Sequence, residues 1–177
     1  LEYSHPEWVV TALRGALVGH GTATAEAVDD QLEALLRADN DPPRVALVAR
    51  PGLTTVDELI AQGGRPGRWA PTAVLLDSGQ PGDLPEVRDG RAAVQDEGSQ
   101  LVALALAAVP SEATGVTAGR WLDLCAGPGG KAGLLAVLAS AAGADLVANE
   151  VSEHRADLVR ATLAPAIAAA AERGSTI

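Results

Sequence analysis

Residues 121–131, WLDLCAGPGGK, place an acid, a cysteine, three glycines, a proline and a lysine within one short run. An apolar segment that breaks into glycines ahead of a helix-forming stretch suits a turn whose main-chain N–H groups meet an anion at a helix N-terminus. A magnesium-triphosphate loop would need Gly five positions before Gly130 and Ser or Thr after Lys131; Cys125 and Ala132 stand there instead. A dinucleotide fingerprint fits in relaxed form as Gly127-x-Gly129-x-x-Ala132, with Glu150 at the spacing of a ribose-binding acid. S-adenosylmethionine fits as well. Its carboxylate would meet the turn's N–H groups, Asp123 would face its ammonium, and Glu150 would accept both ribose hydroxyls. The residues alone leave both cofactors open, beside a tight turn that binds nothing.

Other chemistry is sparse. Cys125 is the single cysteine, which excludes an internal disulfide framework and a multi-cysteine zinc site. It is expected to pack as a small residue below the glycine turn rather than to act as a nucleophile. His5, His20 and His154 are isolated, so no metal site is expected. Lys131 is placed to orient cofactor or RNA phosphate. Trp8, Trp69 and Trp121 are expected to pack in the core or between modules. The net charge of −10 opposes a broad grip on nucleic acid. That charge is uneven: −6 over residues 1–43, zero over 44–91 and −4 over 92–177. A phosphate backbone would therefore meet the middle third, with Arg44, Arg50, Arg65, Arg68, Arg88 and Arg91.

The elements that must position these groups follow from periodicity. Nearly half of the 177 residues are apolar, mostly Ala, Leu and Val with no Phe, so the core must be aliphatic and rich in helix. No stretch reaches the length of a membrane span and no secretory leader opens the chain, so a soluble cytoplasmic protein is expected. Pro6 suits a helix start, with Trp8, Val9, Leu13, Ala16 and Leu17 at helical spacing; a second helix is predicted over 24–37. Residues 39–43 read as a loop. Then come a strand at 45–49, a short helix opened by the capping box Thr55-Val56-Asp57-Glu58, a loop over 63–71 and a strand at 74–76. Helix over 100–109, strand over 121–124, helix over 131–142, strand over 145–149 and helix over 153–163, interrupted at Pro165, make a βαβα unit with a right-handed crossover.

Four stretches carry a family resemblance, in order. Residues 122–131, LDLCAGPGGK, resemble the D-x-C-A-A-P-G-G-K cofactor motif of the Fmu/Sun family of RNA cytosine-5 methyltransferases, with Gly127 where Ala is usual. Residues 94–101, VQDEGSQL, resemble that family's V-Q-D-x-x-S-Q-L segment. Residues 148–155 resemble its next strand and acid-bearing turn, and Ser4-His5-Pro6-x-Trp8 its opening.

The resemblance implies an α/β fold in three parts. These are an N-terminal helical segment (1–42), a small α+β, RNA-recognition-like module (43–91), and the start of a Rossmann-like methyltransferase domain (92–177). It further implies that Cys125, Ala126, Gly127, Pro128, Gly129, Gly130 and Lys131 hold S-adenosylmethionine, with Glu150 on its ribose. The implied partner is RNA, of ribosomal type and expected to be 16S rRNA, with no membrane and no metal. In the family a cysteine thiolate attacks C6 of cytosine so that C5 can take the methyl group. The catalytic cysteines belong to D-x-P-C and T-C-S motifs, which this sequence does not contain. The nucleophile is thus expected beyond Ile177, where a third strand would begin, and the chain alone is expected to be inactive. Two rival expectations remain: an NAD(P)-binding oxidoreductase domain, and a non-enzymatic RNA-binding module.

Overall fold

The computed structural model describes residues 3–42, 44–109 and 119–173, and the chain forms two compact units, Leu1–Pro43 and Arg44–Ile177. The first unit is a helical pair. Helix α1 (Glu7–Gly19) begins behind Pro6, whose φ of −63° already suits a helix entry. Helix α2 (Val28–Asn40) turns Val28, Leu32 and Leu36 inward, an i, i+4, i+8 stripe. The Tyr3 hydroxyl donates to Glu33 at 2.9 Å and the Asn40 amide donates to the Tyr3 carbonyl at 2.8 Å, which fastens the N-terminal residues to α2. Trp8 is not a core residue: it is 73% exposed, because so short a helical pair has too little interior to enclose an indole.

The second unit opens with a four-stranded antiparallel sheet in the order β2–β3–β1–β4, from β1 (Ala46–Ala49), β2 (Gly64–Pro66), β3 (Ala73–Leu76) and β4 (Ala92–Val94). The centre of the sheet is β1, buried at every residue and paired through Leu47 with Val74 on one side and Val94 on the other. Helix α3 (Val56–Ile60) carries the complete Thr55/Glu58 capping box read from the sequence. Two strands and a helix were not foreseen. The segment Gly-Arg-Pro of β2 has poor strand propensity, but Gly64 lets β3 come close; a Cβ there would lie 2.3 Å from Val74 Cγ1. Helix α4 (Pro85–Arg88) and the three-residue β4 are too short to show a period.

Helix α5 (Glu97–Ala107), strand β5 (Arg120–Asp123), helix α6 (Gly130–Ala142), strand β6 (Asp145–Ala148) and helix α7 (Glu153–Arg173) follow. Strands β5 and β6 pair in parallel, Trp121 opposite Leu146. Helix α6 is apolar around its whole circumference, with Ala132 to Val137 all buried, and it packs against both α5 and α7. The third strand expected at 174–177 falls outside the described residues.

The interruption expected at Pro165 does not occur; α7 runs through it to Arg173. A proline removes one i→i−4 bond and crowds the preceding turn. At that turn the buried Arg50 guanidinium donates to the Thr162 carbonyl at 2.9 Å and to the Gly90 carbonyl at 2.7 Å. Arg50 is 1% exposed, so its expected place on an RNA-facing surface is also corrected. Burial holds its guanidinium below the usual arginine range.

Helix α5 also secures the loop before β3. The Glu97 carboxylate accepts the N–H groups of Arg68, Trp69 and Ala70 at 3.2, 2.6 and 3.0 Å. Partial burial acts to raise its pKa, but these three donors overcome it and the net shift is downward. A depressed carboxylate pKa contributes stability that is present above the unfolded value and lost as pH falls through the folded one. Glu97→Gln should therefore lower the melting temperature at pH 7 but much less at pH 3. Equal losses at both pH values in thermal melts would contradict this role.

Candidate cofactor cleft

Strand β5 delivers Asp123 to the rim of the parallel pair, and the end of β6 pins the turn that follows. The Asn149 N–H donates to the Asp123 carbonyl at 2.8 Å, and the Ala126 N–H donates to the Asn149 carbonyl at 2.9 Å. The Asn149 side chain donates to the Leu124 carbonyl at 2.9 Å. Asp123 Oδ1 accepts the Cys125 N–H at 3.2 Å, which starts the bend. The turn closes at Gly129, whose φ of +106° suits glycine, and whose N–H donates to the Ala126 carbonyl at 2.6 Å. Thr162 of α7 supports the turn from behind, donating to the Pro128 carbonyl at 3.2 Å. Helix α6 begins at once, so the N–H groups of its first turn lie beside these residues.

Facing the turn is the corner between β4 and α5. Its residues divide their work. Asp96 caps α5 by accepting the Ser99 N–H at 3.2 Å. Gln100, fully buried, donates to the Leu47 and Gln95 carbonyls and accepts the Thr72 hydroxyl, which locks α5 to β1. Gln95 is 7% exposed, and neither polar atom of its side chain has a hydrogen-bond partner among the described residues. Between corner and turn lies a cleft of about 270 Å³, with residues 94–96 and 99 on one wall and 123, 125–128, 130 and 131 on the other. Gln95 was not foreseen as a site residue; the only sequence signal was a carboxamide inside the VQD stretch.

Of the residues expected to hold a cofactor, Cys125, Ala126, Gly127, Pro128, Gly130 and Lys131 line this cleft, while Gly129 and Glu150 do not. Cys125 is exposed rather than packed below the turn; the chain bends at Asp123, and Ala126 becomes the buried small residue. Glu150 is engaged by the turn itself. Its carboxylate accepts the Ser152 N–H at 2.9 Å and the Gly127 N–H at 3.1 Å, and pairs with Arg155 at 2.8 Å. The Ser152 N–H contributes most to a lowered Glu150 pKa; desolvation opposes it, and Arg155 and the Gly127 N–H add to the lowering. A Cβ on residue 127 would lie 2.3 Å from Glu150 Oε2. Glycine at 127 thus leaves room for the Glu150 carboxylate beside the turn. Gly127→Ala should push the carboxylate aside, and a crystal structure of that variant with the Glu150–Gly127 bond unchanged would contradict this.

Trp121 is half-buried against the main core, as expected, but Trp69 is 64% exposed with the Arg68 guanidinium 4.5 Å from its ring. Among the other middle-third arginines, Arg65 pairs with Asp77 at 2.8 Å, and Arg91 lies 3.5 Å from both Glu86 and Asp89. A groove of about 350 Å³ in the helical unit is larger than the cleft, but it has apolar and carboxylate walls and no anion-binding turn. Among the described residues no cluster of His, Cys, Asp and Glu could hold a metal ion, and no helix is long and apolar enough to cross a membrane.

A strand, a glycine turn that opens a buried helix, and a parallel neighbour followed by an acid have the arrangement of the opening βαβα of a Rossmann-like domain. Residues 92–166 match the model of the family described as 16S rRNA methyltransferase RsmB/F. Two Mycobacterium tuberculosis proteins, from strains CDC 1551 and H37Rv, bear methyltransferase names assigned by inference; each is 51% identical to this chain over 158 residues. That alignment covers 89% of this chain and 32% of each relative, so the chain spans about a third of their length. The crystal structure of PH0851 superposes with a TM-score of 0.70 over 93% of this chain and 34% of that one, at 19% identity, which establishes likeness of fold.

Proposed function

We propose that this chain is the N-terminal and cofactor-loop portion of an S-adenosylmethionine-dependent RNA cytosine-5 methyltransferase acting on ribosomal RNA, 16S in particular. One observation carries the reading: the glycine turn 125–131 and the VQD corner, both family stretches, form the two walls of a single cleft. The site's chemistry fits that cofactor. The turn and the start of α6 offer N–H groups to a carboxylate, and Lys131 adds a positive charge beside them. Asp123 brings a carboxylate to the same wall for an ammonium. Ala132 fills the place where a triphosphate loop needs a hydroxyl, and it is fully buried. When bound, S-adenosylmethionine supplies an electrophilic methyl group; the residues here bind and orient it.

Glu150 has two parts in this scheme. It fixes the turn through the Gly127 N–H, and a ribose hydroxyl would have to take the one Oε2 lone pair left by Gly127, Ser152 and Arg155 on a side chain only 5% exposed. Titration calorimetry of the 177-residue chain should show binding of S-adenosylmethionine and none of NADH. The reverse preference would favour the dinucleotide reading of Gly127-x-Gly129-x-x-Ala132. Glu150→Ala should weaken S-adenosylmethionine binding by roughly tenfold, the usual consequence of leaving hydrogen-bonding groups unpaired. Unchanged affinity would remove Glu150 from the site. Its lowered pKa implies that binding persists in mild acid and fades only as pH falls below the ordinary glutamate value of 4.5.

On the RNA side, the Arg68–Trp69 pair presents a cation and an exposed aromatic face together. Trp69→Ala should weaken low-salt association of the chain with 16S rRNA fragments. Equal retention by both forms would place the RNA elsewhere.

A further inference from the structure

The loop that carries Trp69 has its backbone fixed while its indole stands open. Three successive N–H groups, of Arg68, Trp69 and Ala70, converge on the Glu97 carboxylate. On either side the Gly67 N–H donates to the Ala73 carbonyl at 2.8 Å, and the Ala73 N–H donates to the Ala70 carbonyl at 3.0 Å. Glycine at 67 permits this closeness, since a Cβ there would lie 2.8 Å from Glu97 Oε2. Trp69 is nevertheless largely exposed, and the exposed Arg68 lays its guanidinium over the ring. Arg68 feels the Glu97 charge but forms no ion pair among the described residues.

A cation stacked beside an open aromatic ring complements a planar group that carries an anion, which describes a nucleotide. The guanidinium can stack through its face while its N–H edge meets a phosphate. A purely apolar partner would cover that charge and leave it unpaired, at a cost. Inside a duplex both faces of a base are covered by its neighbours; an unpaired base has a face to offer. The anchor of the loop also lies next to the cofactor cleft. Glu97 stands between Asp96 and Ser99, which line that cleft, in the first turn of α5. A strand of RNA seated on Trp69 is thus held by the same helical turn that bounds the cleft.

We propose that the loop 67–70 seats one unpaired RNA base against Trp69, with Arg68 on a neighbouring phosphate, and that Glu97 is the positioning residue that holds this seat ready. The proposal rests on the RNA reading above and deepens it. It names single-stranded RNA as the form bound, and it gives Glu97 a part in binding besides its part in stability. A loop that must be ordered when its ligand arrives loses affinity to that ordering, and the three N–H bonds to Glu97 remove the loss in advance.

The test follows fluorescence anisotropy of two probes at low salt, a short single-stranded RNA of mixed sequence and the same RNA annealed to its complement. All proteins are the full chain, held well below their melting temperatures. The parent should bind the single strand more tightly than the duplex. Trp69→Ala should weaken single-strand binding about tenfold, and Trp69→Phe should restore most of the loss. Trp69 is exposed, so these variants should fold as the parent does. Glu97→Gln should cost about fivefold when Trp69 is present and nothing further in the Trp69→Ala background. Equal losses from Glu97→Gln in both backgrounds would leave Glu97 with a stabilising role only and overturn its part. Full retention by Trp69→Ala, a loss that Phe does not restore, or duplex binding as tight as single-strand binding would overturn the seat. If the parent binds neither probe, the RNA reading itself fails and this inference falls with it. If the parent binds RNA and Trp69→Ala binds it equally well, the RNA reading stands and the seat alone is lost.

Discussion

Arg50→Ala should destabilise the chain by about 3–5 kcal/mol in urea denaturation, a loss on the scale of emptying a large core position. The side chain is 1% exposed, and its removal leaves a cavity where the four-stranded sheet meets α6 and α7. It also removes the Arg50 bonds to the Gly90 and Thr162 carbonyls, and Thr162 lies one turn before Pro165. Helix α7 should then bend or fray at the proline, which the helix otherwise crosses intact. Arg50→Met keeps much of the apolar stem and isolates the hydrogen bonds; it should cost about 1–3 kcal/mol. Glycine at position 133 is part of the same arrangement, since a Cβ there would lie 2.4 Å from the Arg50 guanidinium. A loss below about 1 kcal/mol for Arg50→Ala would show that the guanidinium is dispensable and that α7 tolerates Pro165 by itself.

The second large effect belongs to the turn. Gly129→Val forces a β-branched residue to φ +106° and drives its Cβ to 2.8 Å from Thr162 Cβ. Strain of about 3 kcal/mol is relieved only if the turn opens, and opening it removes the N–H cradle; cofactor affinity should fall roughly a hundredfold. The fall should accompany a lower melting temperature, because the same turn joins β5 to α6 and is braced by α7. A Gly129→Val variant that binds S-adenosylmethionine normally would mean that the turn does not form the ligand's seat.

Much of this was legible in the sequence because the informative signals are local. The spacing of Gly127, Gly129 and Gly130 after a short apolar run announced a turn between a strand and a helix, and Thr55 with Glu58 announced the start of α3. What escaped depends on partners distant along the chain. Helix α7 runs through Pro165 beside a donor 112 residues earlier, Arg50, on the Thr162 carbonyl. Strand β2 owes its conformation to β3, since Gly-Arg-Pro has little strand preference of its own. Glu150 was legible as an acid at a strand end, but its clasp on the turn depends on the missing Cβ of Gly127. Trp8 and Trp69 were expected in the core or between modules and are largely exposed, because indole size alone does not say whether a small unit has room for it.

Crystals of this chain grown with S-adenosylmethionine test the central claim most directly. The ligand's amino-acid end is expected at the start of α6 beside Lys131, with its ribose on the side of Glu150. A well-ordered ligand bound anywhere else, or a turn 125–131 that stays closed over an empty cleft at saturating cofactor, would contradict it.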